Sequence, residues 1–77
     1  MAGHIEINPK IMMGKPVIKG TRITVEILLR KLAQNLSPQD ILNDYPQLTT
    51  DDIKAAVDYA ASTLQNEEIF PLKQNRL

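Results

Sequence analysis

The stretch Ser37-Pro38-Gln39-Asp40-Ile41-Leu42-Asn43-Asp44-Tyr45-Pro46-Gln47-Leu48-Thr49 decides how the chain is read. Ser37 is a strong N-cap residue, Pro38 suits the first helical position, and Asp40 is spaced to close a capping box. Ile41, Leu42 and Tyr45 then supply one buried side. Tyr45 stands before a proline, which disfavours the α conformation, so the helix ends there. A start and a stop this close together define a short helix flanked by two others.

Upstream of it, Val25, Leu28, Leu29, Leu32, Ala33 and Leu36 recur at helical spacing, with Glu26, Arg30, Lys31 and Gln34 on the opposite side. Thr24 is the expected N-cap of this first helix and Asn35 its stop. Downstream, a third helix is expected from Thr49 or Thr50, where Asp51 and Asp52 complement the positive end of the helix dipole. Its apolar stripe reads Ile53, Ala56, Val57, Ala60, Ala61 and Leu64, and the small residues at its centre favour close approach of another helix. Before all three helices, His4-Ile5-Glu6-Ile7 alternates with period two and stops at Asn8-Pro9. Lys15-Pro16-Val17-Ile18 is a second extended stretch, and Lys19-Gly20 turns the chain into Thr21-Arg22-Ile23. Gly14 and Gly20 are expected where the backbone needs positive φ. The expected fold is mainly α: a three-helix, homeodomain-like or helix-turn-helix bundle with a short N-terminal β-ribbon or arm. It takes residues 1–65. A tail of residues 66–77, flexible or docked on a partner, carries Ile69, Phe70 and Leu72 with the chain's single phenylalanine.

The 77 residues, 8.7 kDa, make one small domain with a thin stability margin. Cysteine is absent, which excludes disulfides, thiol catalysis and cysteine-based zinc sites. No apolar run approaches the length of a membrane span or a secretory leader, so a cytoplasmic protein is expected. Nine cations balance nine carboxylates, yet the charges are not mixed. Residues 1–31 hold six cations and two carboxylates, a balance of +4, and residues 32–77 hold three cations and seven carboxylates, a balance of −4. Such a division marks a face for nucleic acid or for an oppositely charged partner.

Enzyme chemistry finds little support. His4 is the only histidine, with no second histidine or cysteine to share a metal. Asp40, Asp51 and Asp52 sit in first helical turns, where capping and the dipole account for them. The glycines at 14 and 20 lack the spacing of a phosphate loop. No catalytic residue, metal or cofactor is therefore expected. For duplex DNA the candidates are Lys15, Lys19, Arg22, Arg30 and Lys31, on the arm and first helix. The start of the third helix, Thr50-Asp51-Asp52, would bring carboxylates toward phosphates. No aromatics interleave with the cations, so stacking on single strands is not expected.

The run Gly14-Lys15-Pro16-Val17-Ile18-Lys19-Gly20-Thr21-Arg22-Ile23-Thr24-Val25 resembles the signature of a bacterial family called domain of unknown function 433. Ser37 to Thr49 resembles that family's second block, and Ile53 with Ala55-Ala56 its third, so the likeness covers residues 5–62 in order. Thr24 departs from the proline often found there; either suits a helix start. The resemblance implies a three-helix fold with a short β element. It also implies an antitoxin of VapB type, paired with a toxin of PIN-like nuclease fold, with operator DNA as a further partner; the small core and the alanine-rich third helix add the expectation of a homodimer. It makes Gly14, Pro16, Gly20, Thr21 and Arg22 a shaped motif: Pro16 stiffens the strand, Gly20 turns it, and Thr21 and Arg22 pin the arm to the bundle. For Arg22, pairing with Asp44 and contact with DNA are both open. In the antitoxin reading Glu67, Glu68, Ile69, Phe70 and Leu72 bind the toxin, the glutamates standing in for RNA phosphates. The alternatives are a stand-alone DNA-binding regulator and an interaction adaptor that binds neither nucleic acid nor nuclease.

Overall fold

The caps set the frame of the fold. In the computed structural model, which describes residues 3–66, helix α1 spans Val25–Ala33 and Thr24 Oγ1 accepts the Ile27 N–H at 3.1 Å. The helix ends in a Schellman motif: Leu36 N–H donates to Lys31 O at 3.1 Å, Asn35 N–H to Leu32 O at 3.0 Å, and Asn35 takes φ 70°. Asn35 is thus the stop, as its residue type implies. Helix α2, Pro38–Asp44, has the complete capping box, with Ser37 Oγ accepting Asp40 N–H at 3.1 Å and Asp40 Oδ2 accepting Ser37 N–H at 2.9 Å. Helix α3, Thr50–Asn66, begins with a second such box: Thr49 Oγ1 accepts Asp52 N–H at 3.2 Å and Asp52 Oδ2 accepts Thr49 N–H at 2.9 Å. Asp52 is therefore a capping residue first and a dipole partner second.

Two short strands precede the helices. Strand β1, Ile5–Glu6, pairs antiparallel with β2, Val17–Ile18, in the register Ile5 opposite Ile18 and Glu6 opposite Val17. Val17 also bridges to Thr24, and Val25 N–H donates to Pro16 O at 2.9 Å, so β2 is tied directly to the start of α1. The result is a mainly α protein, a small three-helix bundle carrying a two-stranded N-terminal sheet.

One core joins these elements. Ile18, Val25, Leu28, Ile41, Leu48, Ile53 and Ala56 are buried together, with Ile5, Ile23, Leu29, Leu32, Leu36, Leu42, Tyr45 and Tyr59 packed against them. The apolar stripe expected along α3 is only half used. Ile53 and Ala56 are buried, whereas Val57, Ala61 and Leu64 face solvent, as does Ala33 on α1. Length explains the shortfall. At about 1.5 Å per residue, the 17 residues of α3 run roughly twice as far as the nine of α1, so its C-terminal turns overhang the bundle.

The link between the strands holds a feature that hydropathy patterns do not reveal. Met12, Met13 and Gly14 have φ of 48°, 57° and 83°, a left-handed turn closed by Gly14 N–H to Ile11 O and Lys15 N–H to Met12 O at 3.0 and 3.1 Å. Side-chain sterics make this conformation costly by about 1–2 kcal/mol for each methionine. Met13 is left 90% exposed at its tip.

Candidate functional site

The residues of the expected motif meet where β2 runs into α1. Gly20 takes φ 81° with open space around it, so backbone conformation, not crowding, demands glycine there. Thr21 fastens this turn from within. Its N–H donates to Ile18 O at 2.9 Å, its hydroxyl donates to the same oxygen at 2.8 Å, and Oγ1 accepts the Ile23 N–H at 2.9 Å. Ile18 N–H donates to Ile23 O at 2.9 Å, and Glu6 Oε1 accepts Gly20 N–H at 3.4 Å. Gly14, by its positive φ, releases the chain from the left-handed turn into Lys15 and Pro16. Thr21's hydrogen bonds all fall within residues 18–23, so it fastens the turn itself, while the tie of the arm to α1 runs through Val25 N–H to Pro16 O and the Val17–Thr24 bridge.

Arg22 differs from that expectation. Among the described residues it forms no ion pair, and Asp44 lies instead 4.0 Å from the Lys31 ammonium. The Lys31 ammonium also sits 5.7 Å from the centre of the Tyr45 ring, a cation–π contact. Lys31 on α1 meets Asp44 at the end of α2 across the contact between the two helices, so the carboxylate is paired without Arg22.

The five candidate cations therefore separate into two groups. Lys15 and Arg30 both converge on Glu26, at 3.3 and 3.2 Å, and Lys31 meets Asp44. The Arg30 hydrogen bond, then those and the charge of Lys15, hold the Glu26 carboxyl below the usual glutamate range. Lys19 and Arg22 form no ion pair among the described residues. Both are exposed on the fastened turn, at the edge of an open hollow floored by Ile11, Met12, Ile27 and Tyr45. The hollow places Lys19 and Arg22 beside apolar side chains, with the Glu6 carboxylate on the same lining, so two cations face one carboxylate there. Ile27 and Met12 were outside the sequence-based expectation. Met12 reaches the hollow through the left-handed residues 12–14, for which Gly14 is the local signal.

At the same end of the sheet, where its carbonyl accepts the Lys19 N–H at 2.8 Å, His4 reaches α3. Its Nδ1 lies 2.8 Å from Asp52 Oδ1, tying the first strand to the α3 cap. Burial pushes the Asp52 carboxyl up, but the hydrogen bonds from His4, from the Thr49 N–H and from the Thr49 hydroxyl together hold it below the ordinary aspartate range. Asp40 is held low in the same direction by the Ser37 N–H and then its hydroxyl. Sequence reading places His4 in the first extended stretch with no companion ligand; its long-range partner lies 48 positions away and leaves no local trace. Among the described residues no three histidine, aspartate or glutamate side chains gather in a metal-binding group, and no helix is long and apolar enough to cross a membrane. Glu67, Glu68, Ile69, Phe70 and Leu72 lie outside the described residues.

Fold and site together define a small three-helix protein whose N-terminal sheet presents a rigid basic turn. The chain belongs to the family described as "Protein of unknown function (DUF433)", which matches residues 5–60. It is similar to a protein in a solved structure, described as the crystal structure of a DUF433 member protein from Anabaena variabilis. The two are 32% identical with a TM-score of 0.76, over 82% of this chain and 62% of that one. The present chain thus spans under two-thirds of that relative's length. No curated protein matches it.

Proposed function

We propose that the chain is a cytoplasmic antitoxin of VapB type that neutralises a PIN-like nuclease by direct protein contact. The observation that carries this reading is the segregation of charge. Lys19 and Arg22, without ion pairs among the described residues, sit on the turn at residues 19–22, whereas the exposed carboxylates Asp51 and Asp58 outnumber the single cation Lys54 along α3, and Glu67 and Glu68 follow in sequence. A nuclease that binds RNA has a basic cleft, and an acidic segment with Ile69, Phe70 and Leu72 behind it has the chemistry to fill one. A homodimer fits the overhanging α3, whose Val57, Ala61 and Leu64 are exposed. Co-expression with the protein encoded beside it tests the proposal. Co-purification, lost together with rescue from toxicity on truncation after Leu64, is the expected result. Separate elution, or rescue that survives the truncation, contradicts it.

A second reading, a DNA-binding regulator acting alone or as the operator-binding half of the same antitoxin, is favoured by Lys19 and Arg22. Neither is held in an ion pair among the described residues, so both can neutralise phosphates. Duplex affinity should fall steeply with salt and fall further in Arg22→Glu. Affinity indifferent to both removes this reading.

A further inference from the structure

Two surfaces of the described residues are left with unmet chemistry, and they are opposite in kind. The first is the hollow beside the fastened turn, about 1020 Å³ in volume. Ile11, Met12, Ile27 and Tyr45 line it, and Met12 is held there at φ 48°, a conformation that methionine rarely takes. Lys19 and Arg22 stand at its edge without an ion pair among the described residues, and Glu6 is the one carboxylate beside them.

The second surface is the outer face of α3. Val57, Ala61 and Leu64 are exposed there at positions i, i+4 and i+7, the spacing of anchors on a helix that lies in an apolar groove. Asp51 and Asp58 are exposed along one flank of this stripe, about two turns apart, with the exposed Lys54 between them. None of these three charges is in an ion pair among the described residues. The hollow thus carries two cations to one carboxylate, and the helix face two carboxylates to one cation.

We infer that the exposed face of α3 in one copy of the chain seats in the hollow of a second copy. No residue beyond Gln47 lines the hollow, so a molecule's own α3 does not reach it and the helix comes from another. A small ligand needs roughly 300–1,000 Å³, and the hollow is at the top of that range, with room for a run of side chains. From Val57 to Leu64 that run is about 10 Å long. Opposite charge ratios on the two surfaces set the orientation. Two such contacts, exchanged about a two-fold axis, close the pair and cover both hollows and both helix faces. A domain this small gains in this way apolar burial that its own core is too small to supply.

This seat rests on the homodimer of the reading above, to which it gives an interface, and on neither a nuclease nor DNA. A duplex would draw on the same Lys19 and Arg22, so phosphate binding and self-association compete for the turn.

Sedimentation equilibrium of the full chain tests the inference. The chain is expected at twice its formula mass. Arg22→Glu and Asp58→Arg should each weaken the association by at least about tenfold, because each sets like charges face to face in both contacts. Both positions are exposed, so the helical circular dichroism of each variant should be unchanged. Mixing the two variants should restore the dimer, since the reversed charges then meet each other in one contact and the native charges in the other. Lys19→Glu repeats the reversal on the turn and takes the place of Arg22→Glu if that variant loses its helical spectrum. A chain that stays monomeric at every concentration overturns both the seat and the homodimer. A dimer that both charge reversals leave intact, or a mixture of folded variants that stays monomeric, overturns the seat alone.

Discussion

The turn at residues 19–22 and the outer face of α1 are equally basic in sequence and opposite in circumstance. On α1, Arg30 stands one helical turn from Glu26, and Lys15 reaches the same carboxylate from the strand side. Lys31 is drawn to Asp44 and the Tyr45 ring. On the turn, Lys19 and Arg22 stand on a backbone that Thr21 and Gly20 fix and form no ion pair among the described residues, the nearby Glu6 carboxylate being turned to the Gly20 N–H. A count of cations therefore overstates the charge available to a partner. What matters is which of them the fold has already satisfied.

The largest effect expected on this contrast comes from removing the frame that creates it. Leu28 is fully buried where α1 meets the rest of the core, and Leu28→Ala should cost about 2–5 kcal/mol in chemical denaturation. On a small domain that is most of the stability, so both basic regions would lose their distinct settings. A change of under 1 kcal/mol would mean that the core is not organised around Leu28.

Gly20→Ala acts on the turn alone. The added methyl meets nothing within 4 Å, so the whole expected cost, about 1–2 kcal/mol, is the strain of φ 81° in an L-residue. Thr24→Ala removes the α1 cap and should cost about 1 kcal/mol, read from the same denaturation curves. If Gly20→Ala is silent, the turn is not the rigid platform described above.

A pH titration separates the α3 cap from the basic regions. The Asp52 carboxyl is held below its ordinary range, so the unfolded chain takes up its proton first as pH falls. Its contribution is present above the ordinary aspartate value of about 3.9 and is lost as pH falls through the lower value of the folded state. Asp52→Asn should flatten that part of the stability profile while leaving Lys19 and Arg22 untouched. An unchanged profile would show that the bonds to His4 and Thr49 do not persist in solution.

The finest test compares the two regions directly. Arg22→Ala should reduce the salt slope of duplex binding by about one phosphate contact, and Arg30→Ala should leave it unchanged. Equal slopes for the two variants would erase the distinction between satisfied and unsatisfied cations.

Much of this fold is written locally. Ser37, Pro38 and Asp40 announce α2, Thr24 announces α1, and Asn35 closes it, because caps act within a few residues of themselves. The site is less legible. Lys15 and Glu26 are 11 residues apart, and His4 and Asp52 are 48 apart, so no pattern along the chain predicts that they meet. Arg22 and Asp44 have opposite charges, yet Lys31 is the nearer partner of Asp44. The exposure of Val57, Ala61 and Leu64 escaped the periodicity for a similar reason. An apolar stripe says which side of a helix is to be covered, not how far its neighbour extends.

Inhibition of the proposed nuclease partner tests the central claim most directly. The purified protein encoded beside this chain should cleave RNA alone, and adding the full chain should abolish cleavage at a one-to-one ratio. Replacing Glu67, Glu68, Ile69, Phe70 and Leu72 by alanine should leave the fold intact and the cleavage uninhibited. Cleavage that continues unchanged in excess of the full chain would contradict the account.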